Sequence, residues 1–351
     1  MRLLLRRFSG ASHGAQGALR AWPVRSGLLI ELSVGSLRGL GEASPLPGYS
    51  PDSLEETESA LAALDLVAIE DAMRLEDTCE ALKAVARLLP KQLPAARMAL
   101  ETAVLDLRSK QRNLSAPALL GAEPGARRSL AYLLGAPNAE GLEAMNCAVL
   151  AGYRHFKIKL GRAGNFNAEL AGVRRARRLL GAGPRLRLDV NRAWSEAEAQ
   201  IGCALLEPLD IEFIEEPYAQ PSDAPHGPLP LALDESLQGL EAADLQALAR
   251  RTGASVLILK PMVLGGLSHC LELAGRARSL NLGVVVSHTL DGPVALRAAA
   301  ALALALPTAA AQGLAPHAGL GAWPKVALPI VDAGLQAWSS PGLGLAPEQF
   351  L

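Results

Sequence analysis

Residues 186–217 decide the fold: LRLDV at 186–190, SEAEAQIGCALL at 195–206 and IEFIEEP at 211–217. The outer pieces are short runs rich in β-branched and bulky apolar residues. The piece between them has helical spacing and opens on a serine able to cap it. Strand, helix and strand within about 30 residues is one βα unit. Working outward, similar β-rich runs stand at 129–134, 155–160, 231–233, 256–259, 283–286 and 311–314. Helical patterns fill the gaps at 168–180, 242–252, 267–280 and 295–306. Eight such units in series predict a (β/α) barrel rather than an open sheet.

Upstream of residue 124 the texture differs. A strand is expected at 3–6, followed by two more at 27–34 and 37–42 joined by a turn at Gly35-Ser36. Pro45, Pro47 and Gly48 then break regularity, and Asp52 or Ser53 can cap a helix that starts at Leu54. Helical patterns run on through Arg87, and Pro94 marks a further start, with Met98, Thr102, Leu105 and Ser109 along one stripe of 95–112. The expected organisation is an α+β unit over 1–112, the barrel over 113–324 and a Pro/Gly-rich segment, 325–351, that packs back on the first unit.

Composition bounds the function classes. Half of the 351 residues are hydrophobic and the formal net charge is −1. A near-neutral chain is not expected to bind nucleic acid, whose binders are usually basic. MRLLLRRF at 1–8 is followed by no apolar run of the roughly 7–15 residues that a signal peptide needs. The longest apolar stretch, 298–306, falls short of the about 20 residues of a membrane span and reads as a buried helix. Cys79, Cys147, Cys203 and Cys270 form no CxxC pair and are expected as buried free thiols in a reducing cytoplasm.

Side chains at the C-terminal ends of barrel strands share one site. Read in order, those ends carry Lys157 and Lys159, Asp189 and Asn191, Glu215 and Glu216, Asp234 and Glu235, Lys260, and Ser287 and His288. One acid at a strand end would be an ordinary surface charge. Asp189, Glu215 and Asp234 stand on three consecutive strands and would repel one another without a cation. Hard oxygen donors with open positions suit Mg²⁺, with Mn²⁺ as a substitute. Lys157 and Lys159, two apart on a strand, face the same way. Lys260 lies across the barrel mouth from them. Metal and opposed lysines together suit proton abstraction from a carbon next to a carboxylate, with the charge of the enediolate stabilised. The base lysine must be neutral, which requires its pKa to fall from about 10.4 toward 7–8, about 4 kcal/mol of differential interaction.

GEASPLPGYS at 41–50, LDVNRAW at 188–194, FIEEP at 213–217, ALDESL at 232–237 and ILKP at 258–261 resemble the muconate-lactonising branch of the enolase superfamily, and within it the o-succinylbenzoate synthase family. The resemblance spans almost the whole chain. It implies a modified (β/α)8, TIM-like barrel of (β/α)7β form under an α+β capping domain, with 9–24 and 46–50 as candidate closing loops. It implies Asp189, Glu215 and Asp234 as magnesium ligands, and Asn191, Glu216 and Glu235 beside them. Lys159 would be the base, and also the acid that assists loss of hydroxyl from the same face. Lys260 would stabilise the enediolate and Lys157 would tune Lys159. The implied reaction is dehydration of 2-succinyl-6-hydroxy-2,4-cyclohexadiene-1-carboxylate to o-succinylbenzoate, toward menaquinone. His288 would be a base in the mandelate-racemase branch, but that branch has no lysine at strand six, so here Ser287 and His288 are read as structural or substrate-contacting. Two alternatives stay open: an N-acylamino-acid racemase or dipeptide epimerase of the same superfamily, and a non-catalytic barrel that binds metal. Dipeptide epimerases tend to carry Asp-x-Asp on the last strand, where this chain reads QGLAP at 312–316. No nucleic-acid or membrane partner is expected, only a small carboxylate substrate.

Overall fold

Strands β1 (Arg2–Ala11), β2 (Val24–Val34) and β3 (Leu37–Ala43) form an antiparallel meander in the computed structural model, which describes residues 1–12, 21–162, 165–219, 227–316 and 326–350. β1 and β2 extend beyond the expected runs because ten residue pairs zip in register, from Arg2 opposite Ser33 to Ala11 opposite Val24. The capping-loop candidate 9–24 lies partly outside the described residues, at 13–20, and the barrel boundary at Pro324 lies outside them altogether.

Three helices occupy the stretch where helical patterns were expected through Arg87: Leu54–Ala62, Leu66–Met73 and Thr78–Ala86. The breaks fall at Asp65 and Asp77, whose carboxylates cap the next helix by accepting from Val67 N and Glu80 N. Ser53 caps the first helix in a reciprocal box with Glu56. Asp52, the other candidate, instead accepts from Ala95 N in the first turn of the helix Pro94–Gln111. That helix is buried nearly all round, its stripe of Met98, Thr102, Leu105 and Ser109 included. β3 lies against it so closely that a Cβ on Gly39 or Gly41 would sit 2.2 Å from Ala103 O or 2.0 Å from Ala99 O.

The barrel strands are β5 (Ala131–Gly135), β6 (His155–Lys159), β7 (Arg185–Asp189), β8 (Ile211–Glu215), β9 (Leu231–Leu233), β10 (Ala254–Leu259) and β11 (Gly283–Val286). They pair in parallel in chain order, and among the described residues helical structure follows each of them except β8, which leads directly to β9. The short β4 (Arg127–Ser129), just ahead of β5, joins β13 (Gly334–Gln336) and β12 (Ile330–Val331) in a separate small antiparallel sheet.

The eighth run does not form a ladder. It makes single parallel bridges on either side, Gln312 to Leu130 and Gly313 to Ser287, and so joins the two edges of the seven-stranded sheet. The side chain of Gln312 replaces part of the missing ladder, its Oε1 accepting from Val286 N at 2.7 Å. The helix Pro293–Ala305 buries the long apolar stretch as expected. Among the described residues no helix is long and apolar enough to cross a membrane. All four cysteines are free thiols, but only Cys203 and Cys270 are buried. Cys79 is half-buried and Cys147 is exposed, a correction to the expectation. Cys147 shares a helix, Ala139–Leu150, whose inward face is taken by Leu142, Met145 and Ala148, spaced three residues apart.

The C-terminal stretch divides its contacts between the two units. β13 pairs with β4, while Leu343 N donates to Asp106 of the helix Pro94–Gln111 at 2.7 Å. Leu343 and Leu345 join the core beneath that helix.

Candidate active site

Parallel pairing aligns the ends of adjacent strands. Lys159 is opposite Asp189, Asp189 opposite Glu215, and Glu215 opposite Ala232, two residues before Asp234. The three acids therefore stand side by side on consecutive strand ends, each at most 2 % exposed. Lys157 and Lys159 both line the central cavity, as their spacing requires, and Lys260 lines it from the first position after β10. The cavity holds about 370 Å³. Asn191, Glu215, Glu235, Ser287 and His288 also line it.

Two ammonium groups stand among the carboxylates. Lys157 Nζ lies 2.8 Å from Asp189 Oδ2 and 2.8 Å from both oxygens of Glu215. Lys260 Nζ donates to Asp234 Oδ2 and, at 2.9 Å, to the hydroxyl of Tyr49. Among the described residues no three Asp, Glu, His or Cys side chains converge as a ready-made metal cage. The donor set nonetheless fits a hard divalent cation. It is all oxygen, and beside it two buried atoms, Asn191 Oδ1 and Glu235 Oε2, have no partner.

The charges order themselves by environment. Burial pushes the Lys159 pKa down. Asp189 opposes the shift, and the ammonium groups of Lys157 and Lys260 reinforce it. Burial acts the same way on Lys260, but Asp234 and Glu235 outweigh it and hold this lysine charged. Lys157 is likewise held charged against burial by Asp189 and Glu215. Burial and the neighbouring Asp234 raise Glu235 to about 8. One lysine of the three is thus biased toward neutrality and two toward charge.

Glu216 turns away from the cavity and organises the loops. It accepts from Asp234 N at 2.9 Å, Ser236 N at 2.8 Å and Arg192 Nε at 2.9 Å, fixing the turn that presents Asp234. The backbone is strained at this place. Asn191, Arg192 and Glu216 all have positive φ, at 48°, 61° and 40°. His288 Nδ1 accepts from Leu290 N at 3.0 Å, which fixes the ring.

Two groups escaped sequence reasoning. Tyr49, in the loop after β3, reaches over the barrel and also donates to Asp234 Oδ2 at 3.2 Å. Arg187 lies one layer below Asp189, buried and paired to Glu212 through two bonds of 2.8 and 3.0 Å. Against burial, His155 and Arg187 hold Glu212 down to about 2. The alternation in RLRLD at 185–189 carried the signal, since it puts Arg187 on the same face as Asp189.

Residues 142–350, more than half of the chain, match the family model described as enolase C-terminal domain-like. The chain belongs to the enolase superfamily. Residues 18–86 match a second model, the MenC N-terminal domain. Among curated proteins of the superfamily, the o-succinylbenzoate synthase of Enterobacter sp. (strain 638) is 30% identical over 329 residues, 89% of this chain and 91% of that protein. A muconate lactonizing enzyme from Pseudomonas fluorescens, complexed with muconolactone, superposes with a TM-score of 0.84 at 26% identity over 99% of this chain and 97% of that one. A dipeptide epimerase from Methylococcus capsulatus, complexed with Mg and the dipeptide L-Arg-D-Lys, superposes at 0.81 with 26% identity over 98% of both chains. Superfamily relatives of this chain thus include at least three kinds of enzyme.

Proposed function

We propose that this superfamily member is a magnesium-dependent, cytoplasmic carbon–oxygen lyase. It dehydrates 2-succinyl-6-hydroxy-2,4-cyclohexadiene-1-carboxylate to o-succinylbenzoate in menaquinone biosynthesis. The observation that carries the reading is the pairing of a MenC-like N-terminal unit with the o-succinylbenzoate synthase likeness along nearly the whole chain. Asp189, Glu215 and Asp234 would hold the cation, with Asn191 and Glu235 beside them. Bound there, the cation supplies positive charge to the substrate carboxylate and lowers the cost of charge developing on it.

The chain's own groups do the rest. Lys159, depressed by burial and by two ammonium neighbours, takes the proton from the carbon next to the carboxylate. Lys260, held charged by Asp234 and Glu235, faces the negative charge that develops. Lys159 then returns its proton to the hydroxyl leaving from the same face. One C–H and one C–O bond break, one C=C bond forms and water departs. The new double bond completes an aromatic ring, so the overall step is strongly downhill. Tyr49 from the loop after β3 closes the cavity over Asp234 and Lys260.

A second reading is racemisation or epimerisation, which the placement of Lys159 and Lys260 on separate strands of one cavity supports. Gly313 and Ala315 line that cavity where an acidic pair would hold a dipeptide amine, which disfavours a dipeptide substrate. A metal-binding barrel without activity is disfavoured by three buried acids, a buried Lys260 and half-buried Lys157 and Lys159 that it would have no reason to keep. Purified protein given the cyclohexadiene acid and Mg²⁺ should generate the ultraviolet absorbance of an aromatic acid. If that compound stays untouched while N-succinyl amino acids are racemised in deuterated water, the second reading replaces the first.

A further inference from the structure

Two fully buried ionisable side chains on the cap strands, Arg25 on β2 and Glu42 on β3, do not line the cavity. Both are spent on one stretch of the barrel, residues 287–295. Ser287, His288, Thr289 and Leu290 of that stretch line the cavity. Arg25 Nε donates to Leu290 O at 3.3 Å, while its two terminal nitrogens donate to Ser44 O at 2.8 Å and Pro45 O at 3.2 Å. Ser44 and Pro45 lead directly into Leu46, Gly48 and Tyr49, which roof the same cavity. A single guanidinium thus ties the roof from the cap to the wall from the barrel.

Glu42 holds the other end of the wall. Its carboxylate accepts from Gly292 N at 2.6 Å and from Val294 N and Ala295 N at 3.1 Å each, occupying the start of the helix Pro293–Ala305. A Cβ on Gly292 would sit 2.6 Å from that carboxylate, so the backbone can approach only as glycine. Asp291, between the two anchors, turns inward to accept from Thr289 N at 3.1 Å and Thr289 Oγ1 at 2.7 Å. Arg25 lies within electrostatic reach of both Asp291 and Glu42.

We propose that Arg25 and Glu42 are positioning residues. They set the roof and the wall of the cavity at one spacing, and so determine substrate affinity without touching substrate. Arginine suits the task because its planar fork reaches three carbonyls on two loops, where an ammonium would act as a point charge. The wall meets substrate and transition state alike, so loosening it should act on binding more than on the chemical step.

The inference rests on the proposed use of the cavity as the substrate site, and the test separates the two. Backbone hydrogen exchange at 44–49 and 287–292 is measured together with kcat and KM for the cyclohexadiene acid. In Arg25→Met both loops should exchange faster while the strands β5 to β8 keep wild-type protection. KM should rise about tenfold with kcat within about threefold, the signature of lost uniform binding. Arg25→Lys should lie between Arg25→Met and wild type, and it carries the test if Arg25→Met does not fold. Glu42→Gln, whose amide oxygen still accepts from Gly292, should retain most of the affinity that Glu42→Ala loses. Unchanged exchange in both loops, an unchanged KM, or faster exchange throughout the barrel with kcat falling alongside would each overturn the assignment. Should the wild-type protein leave the cyclohexadiene acid untouched, the proposed function fails, and the exchange comparison alone decides the positioning role.

Discussion

At the scale of the residue, the three lysines divide the work by environment. Lys157 is committed to Asp189 and Glu215, and Lys260 to Asp234 and Tyr49. Lys159 alone of the three is biased by burial and like charge toward the neutral form. A same-face dehydration needs one proton-transferring group, so Lys159→Ala removes base and acid together. Loss of general acid–base catalysis alone costs about 10²- to 10⁴-fold, and the double role should exceed that. Lys260→Arg keeps the charge and should retain more dehydration than Lys260→Ala. For racemisation the same arginine should be nearly inactive, because it cannot release its proton near neutral pH. The measurement is kcat/KM for both reactions across the three variants. Equal loss in the two Lys260 variants would contradict an electrostatic role, and substantial dehydration by Lys159→Ala would remove the base assignment.

At the scale of the element, cap carboxylates are spent on barrel helices. Glu101 accepts from Ser268 N at 2.8 Å and from Ser268 Oγ at the start of the helix Leu267–Ser279, as Glu42 does at the helix Pro293–Ala305. Burial raises both carboxylates from 4.5 to about 7, with the hydrogen bonds only partly offsetting it. The sign follows from proton counting. Between pH 4.5 and about 7 the folded chain keeps a proton at each site that the unfolded chain has released. Each site therefore favours folding most below that window, and the advantage is lost as pH rises through it. A permanently neutral Glu101→Gln should gain on wild type by up to about 3 kcal/mol between pH 5 and pH 8. Chemical denaturation of both proteins at the two pH values checks this, and parallel stability curves would contradict it. These helices and strands were legible in the sequence as periods of 3.6 and 2. Their ends were less so. The helical patterns through Arg87 break where Asp65 and Asp77 take N-cap positions, and the eighth strand is two bridges beside which the Gln312 side chain supplies part of the missing ladder.

At the scale of the whole molecule, one polar side chain reinforces the backbone bridges that close the barrel. Gln312 is fully buried, accepts from Val286 N and donates from Nε2 to Ala310 O at 2.5 Å. Gln312→Leu keeps the volume but leaves Val286 N without a partner, which should cost about 1–3 kcal/mol. Equilibrium unfolding measures this, and a variant as stable as wild type would mean that the closure does not depend on this bond. The carboxylate ring gives the second global prediction. Because Mg²⁺ would bind the folded chain and not the unfolded one, it should raise the melting temperature of EDTA-treated protein and restore its activity. Asp234→Asn should lose the thermal shift while the barrel stays folded. Full activity in metal-free buffer would exclude the metal role.

What the sequence by itself determined is whatever depends on short-range periodicity. Alternating β and α runs predict a parallel barrel, period 2 puts Lys157 and Lys159 on one face, and chain order puts three acids on consecutive strands. Those statements need only local geometry and the rule that strand ends share a mouth. The tertiary structure decided which charge meets which. Lys157 rather than Lys159 bridges Asp189 and Glu215. Tyr49 reaches Lys260 from 211 positions away, and Glu42 reaches Gly292 from 250. Such pairings follow from how the cap's buried helix and sheet seat on the barrel, and that seating is set by the packing of many apolar side chains at once. No window of sequence contains both partners, so their meeting became visible only when the core had placed them.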